Sequence, residues 1–144
     1  MNTHTTETEI RALIESWQQA VIAKDIDKIV SYYADDIRSF DAVSALQFKG
    51  KEAYRAHWEE CMKVCPGPGI FEFHQLHVVP AADIAFAHWL AHCGGTDEKG
   101  ETKACWMRVT GGYQRINGQW RVVHEHWSAP FDMMSGTVLF DLQP

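Results

Sequence analysis

Apolar residues in the first quarter of the chain recur at three- and four-residue steps. Ile10, Leu13, Ile14, Trp17, Ala20 and Val21 fall on one side of a helix over 7–24, with Glu7, Glu9, Arg11, Glu15 and Gln18 largely opposite. Thr6 followed by Glu9 predicts a capping box. Asp25 caps a second, short helix through Ile26, Ile29, Val30 and Tyr33, which the Ala34-Asp35-Asp36 step ends. Strands are expected at Ile37–Val43 and Leu46–Phe48. Gly50 then opens a third helix carrying Ala53, Tyr54, His57, Trp58 and Cys61 on one face, and Cys65-Pro66-Gly67-Pro68-Gly69 stops it.

Beyond residue 70 the period changes to two. Phe71–Val79, Ile84–Gly94, Thr102–Ile116 and Gln119–Ala129 read as long strands with turns at 80–83, 96–100 and Asn117-Gly118. Asn-Gly suits a type I′ hairpin turn, because both central positions need positive φ. If Ile116 faces Gln119, directly opposed residues sum to 235. Arg108, Thr110, Glu125 and Trp127 then share one side of the sheet, and Val109, His124, His126, Met107 and Ser128 the other, unless a bulge at Gly111-Gly112 breaks the pairing. Helices followed by a meander predict an α+β domain spanning 1–144.

The chain has 144 residues and a mass of 16.4 kDa. A folded monomer of that mass exposes roughly 7,500 Å², so about two-thirds of the unfolded surface is buried and a core needs no staples. A net charge of −6 with no basic run argues against nucleic acid. No stretch approaches a membrane span, and MNTHTTETEI has no signal-peptide features, so a cytoplasmic location is expected. The four cysteines lack zinc-site spacing and read as reduced thiols, although Cys93 and Cys105 fall where neighbouring strands could pair them. His124 and His126 share a strand face, but the opposing strand brings no third ligand, so neither a metal nor another cofactor is expected. His57, His74 and His77 stand too isolated to suggest a role.

Three segments carry a family resemblance. WQQAVIAKDIDKIVSYYADD (17–36), FDAV with KGKEAYRAHW, and NGQWRVVHEHWSAP together resemble the SnoaL-like branch of the nuclear transport factor 2 superfamily, the ketosteroid isomerase homologues. The last segment also resembles the association domain of calcium/calmodulin-dependent kinase II. The resemblance implies a cone: three N-terminal helices packed on a curved antiparallel sheet. It places Asp41, in ADD-IRSF-DAV, at the position of the isomerases' carboxylate base. A carboxylate in an apolar wall loses solvation and can take and return a proton beside a carbonyl. The isomerases' oxyanion tyrosine corresponds to Trp17, and their second oxyanion donor falls at or beside Gly112, so steroid isomerisation of the usual kind is not expected.

The resemblance also turns the Glu125–Trp127 side inward. With it come His88 as a second catalytic group and Trp17, Phe86, Arg108, Thr110, Glu125 and Trp127 as ligand-binding residues. Two functions follow: an isomerase-, dehydratase- or hydrolase-type enzyme acting on a small molecule through Asp41, or a non-catalytic ligand-binding or assembly module. In either case a homodimer is expected through the outer sheet face, with His124, His126 and Val109 in the contact.

Overall fold

The computed structural model describes residues 2–65, 67 and 69–144. Helix α1 (Thr3–Ile22) starts earlier than its apolar pattern requires. Asn2, not Thr6, caps it by accepting from the His4 amide, while Thr6 is buried within the helix. Helix α2 (Ile26–Ser31) is capped by Asp25 through the Lys28 amide, as its sequence demands. Strand β1 (Tyr33–Phe40) absorbs the Ala34-Asp35-Asp36 step; β2 (Phe48–Lys49) and α3 (Lys51–Val64) follow. Pro66 and Pro68 of the expected stop lie outside the described residues.

Four long strands complete the chain: β3 (Gly69–Pro80), β4 (Ile84–Thr96), β5 (Thr102–Ile116) and β6 (Gln119–Ser128). Their order in the sheet is β2-β1-β6-β5-β4-β3. Every neighbouring pair is antiparallel except β1 and β6, which run parallel, so the sheet is mixed rather than wholly antiparallel. No hairpin joins these two strands, and nothing local dictates their relative direction. Asn117 and Gly118 both adopt positive φ at the β5–β6 turn, and Ile116 pairs with Gln119.

The core lies between the helices and one sheet face. Ile10, Ile14 and Trp17 of α1 and Tyr54 of α3 are buried with Ala85, Ala87, Trp89 and Ala91 of β4 and Val109 and Tyr113 of β5. Gly111, between those last two, is required by a close approach. A Cβ there would stand 2.5 Å from the Tyr113 hydroxyl. Among the described residues no helix is long and apolar enough to cross a membrane.

The hairpin register contains the decisive irregularity. Near the turn opposed residues follow the expected pairing, but from Gly112↔His124 onward it shifts by one, leaving Val123 as the extra residue on β6. On β5 the odd positions, Val109, Gly111 and Tyr113, face the core side throughout. On β6 the inward set changes from Trp120 and Val122 to Glu125 and Trp127. Arg108 and Thr110 therefore part company from Glu125 and Trp127 and are exposed on the outer face. Val109 is correspondingly buried and unavailable to an outer contact, and Met107 packs against the core.

Candidate functional site

Gly50, at φ 92°, turns the chain into α3, and the 3–4 spacing then aims Tyr54, His57, Trp58 and Cys61 at the sheet. Tyr54 and His57 are buried. Asp41 follows directly on the end of β1, and its carboxylate reaches this helix face. Oδ1 lies 3.4 Å from His57 Nε2 and Oδ2 lies 3.3 Å from the Tyr54 hydroxyl. The Asp41 side chain keeps 18% exposure, enough to meet a ligand without being bathed in solvent. Cys61 Sγ stands 3.5 Å from the same His57 nitrogen, and burial pushes its thiol up, which argues against a nucleophilic role.

Behind Asp41 sits a second carboxylate. Glu125, on β6, accepts from the Tyr54 hydroxyl at 2.8 Å and from Trp127 Nε1 at 3.1 Å. Tyr33 adds a further hydroxyl contact to Glu125, and itself accepts from the indoles of Trp17 and Trp58, each at 3.1 Å. Burial raises the Glu125 carboxyl to about 7. The Trp127, Tyr54 and Tyr33 donors oppose that rise and the Asp41 charge adds to it. Tyr33 and Tyr54 are pushed well above 10, by burial first and then by the Glu125 charge, so both remain protonated donors at neutral pH.

Tyr54 has one proton for two carboxylates. With Glu125 ionised, the shorter bond claims it. With Glu125 protonated, the glutamic acid can donate to the Tyr54 oxygen, and the tyrosyl proton is then released toward Asp41.

Asp41 opens onto a cleft of about 300 Å³ walled by Trp58, Met62, Phe71, Cys93, Met107 and Trp127. At its rim Lys24 donates to the carbonyls of Cys65 and Gly67, holding these two residues against the end of α1. A somewhat larger groove, of about 380 Å³, lies beside Val79, Ile84, Phe86 and Val123, but no carboxylate, imidazole or thiol lines it. The titratable groups gather in the smaller cleft.

The expected site residues divide accordingly. Asp41 and Trp127 line the cleft, and Glu125 lies directly beneath them. Trp17 is buried behind, its indole N–H committed to Tyr33. His88, Phe86, Arg108 and Thr110 are exposed on the opposite face, so none of them meets Asp41. For Arg108 and Thr110 the cause is the bulge at Val123. For Phe86 and His88 it is the alternation of β4, whose small alanines face inward and leave space for the Trp17, Phe73 and Trp89 rings. His88 instead meets His77, with ring centroids 5.3 Å apart, and Arg108 donates to Ser128. The residues that sequence reasoning missed are Tyr33, Tyr54 and His57. The α3 face bearing two of them was legible, but not the return of Asp41 onto it.

The SnoaL-like domain family matches residues 10–132. The chain belongs to this family. An NTF2-like protein of unknown function from Pseudomonas putida KT2440 is 56% identical, with a TM-score of 0.91 over 100% of this chain and 99% of that one. At 14% identity, a proposed dehydratase of the NTF2-like family from Streptomyces avermitilis superposes with a TM-score of 0.76, covering 88% of this chain and 97% of that one. A proposed kinase II association domain from Xanthomonas campestris is 23% identical, with a TM-score of 0.74 over 85% and 86%. None of the curated proteins compared with the chain matches it. These likenesses give this SnoaL-like protein the NTF2-like fold, with helices followed by a curved open mixed sheet of six strands.

Proposed function

We propose that this SnoaL-like protein is an acid–base enzyme that moves a proton on a small, largely apolar carbonyl compound, with Asp41 as the base. The observation that carries this reading is the placement of the Asp41 carboxylate. It stands at the wall of an apolar cleft, against His57 on one oxygen and Tyr54 on the other. His57 orients the carboxylate. Tyr54 links it to Glu125, which at a pKa near 7 can hold a proton or release it under ordinary conditions. Isomerisation and dehydration both begin with proton removal beside a carbonyl, and a dehydratase has been proposed for one protein of the same fold. The cleft volume suits one or two carbocyclic rings.

The test needs no knowledge of the natural substrate. Cyclohexanone and 3-cyclohexen-1-one are incubated with the protein in D₂O, and α-hydrogen exchange is followed by NMR. The wild type is expected to accelerate exchange of at least one, and Asp41→Asn to lose roughly 10²-fold or more while still binding it. Binding without exchange in the wild type overturns the catalytic reading and favours a ligand-binding module.

A homodimer through the outer sheet face belongs to the same proposal. Val79, Ile84 and Phe86 are exposed there, Ile84 by 62%, beside His88, His124 and His126. Association-domain proteins share the fold.

A further inference from the structure

Beyond the carboxylate cluster, the sheet holds two thiols that the proposed chemistry does not use, one of which, Cys93, lines the cleft. Cys93 on β4 and Cys105 on β5 are directly opposed partners of an antiparallel ladder, so their side chains leave the sheet on the same face. Opposed residues of such a ladder have Cα atoms roughly 4.5–5.5 Å apart, inside the range a disulfide spans. The strands are close at this point. One residue on, a Cβ at Gly94 would stand 1.9 Å from the Lys103 carbonyl oxygen, so only glycine lets β4 lie against β5 here. Both cysteines are reduced and partly buried. The Cys93 thiol donates toward Cys105, which lowers the Cys105 thiol below its ordinary value with help from the neighbouring His92 imidazole. Cys93 is pushed the other way. One member of the pair is therefore the better nucleophile and the other keeps its proton. Cys61 and Cys65, four apart on and just after α3, have no such opposed partner in the sheet.

We infer that Cys93 and Cys105 form a redox-active dithiol site, which a peroxide converts to a cross-strand disulfide in the wall of the cleft. The Cys105 thiolate attacks one peroxide oxygen, breaking the O–O bond. The sulfur becomes a sulfenic acid and the other oxygen leaves as water. The Cys93 sulfur then attacks the sulfenic sulfur, the S–S bond forms, and a second water departs with the Cys93 proton. The sum is two thiols and one hydrogen peroxide giving one disulfide and two waters, a two-electron oxidation that a small dithiol reverses. Cys93 lines the same cleft as Asp41, so oxidation changes the wall that a ligand meets.

The experiment treats the full chain, reduced and desalted, with one equivalent of hydrogen peroxide. The expected product has lost two hydrogens in intact mass and yields a linked Cys93–Cys105 peptide on digestion, with Cys61 and Cys65 still open to alkylation. Dithiothreitol restores the starting mass. Cys93→Ser is expected to accumulate a sulfenic acid at Cys105 that dimedone traps, and Cys105→Ser to form no intramolecular disulfide. Oxygen addition at Cys61 or Cys65 with the pair untouched, or a disulfide joining two chains, overturns the inference. So does dimedone labelling of Cys93→Ser anywhere but Cys105.

Discussion

Glu125 is the residue whose environment departs furthest from water among the carboxylates of this chain, and its stability consequence has a definite sign. Its carboxyl rises on folding from an ordinary 4.5 to about 7. A raised value means that the folded state holds the proton more tightly. The stabilisation is therefore fully present below about 4.5 and is lost as the pH climbs through 7. The whole effect amounts to about 3 kcal/mol. Urea denaturation at pH 5 and pH 8 should show Glu125→Gln gaining on the wild type by up to that amount at the higher pH. An unchanged difference between the two proteins would mean that Glu125 is not the buried acid described above. None of this was visible in the sequence. Glu125 was legible as inward-facing, but the three donors around it come from β1, α3 and β6, elements brought together only by tertiary packing. Asp41 was singled out because its spacing from the ADD step resembles a family pattern, a local signal that needs no structure.

At the scale of elements, the helices and strands follow their periodicities closely, and the departures have local causes. Helix α1 begins at Thr3 because Asn2 offers a side-chain acceptor, and Glu9 is spent instead on Arg115 and Trp120 of the β5–β6 hairpin. The strand boundaries mostly move by a residue or two. Glu125 and Trp127 face inward as expected, but the bulge at Val123 leaves Arg108 and Thr110 outside, and on β4 alternation tells which residues travel together but not which set meets the helices. Gly111 offers a sharp check on the face now assigned. Alanine ordinarily improves a strand position held by glycine. Here its methyl would collide with the buried Tyr113 ring, and Gly111→Ala is expected to cost about 1–3 kcal/mol in thermal or urea unfolding. A neutral or stabilising result would place position 111 on the open side of the sheet.

For the whole molecule, the exposed surface is 8463 Å², against roughly 7,500 Å² for an average monomer of this mass. Part of the excess lies in the segment after β6, where Phe131, Met133, Met134 and Leu142 stand more than half exposed, and part on the outer sheet around Ile84 and Phe86. A second copy would cover such surface. Sedimentation at tens of micromolar is expected to show a dimer, and Phe86→Asp a monomer with an unaltered far-ultraviolet spectrum. A monomeric wild type would remove the sheet-face contact from the proposal.

The bulge at Val123 makes the chemistry of the cleft a matter of parity. Trp120 and Val122 count even and face the core, so an uninterrupted strand would have sent the next even residues, His124 and His126, in after them. One unpaired valine turns the count odd. Its exclusion from the pairing exchanges a pair of imidazoles for a carboxylate and an indole, without any substitution along the strand. A strand of the same length that paired Val123 regularly would enclose two imidazoles where this one encloses an acid, whereas deleting the valine would leave Glu125 and Trp127 inward.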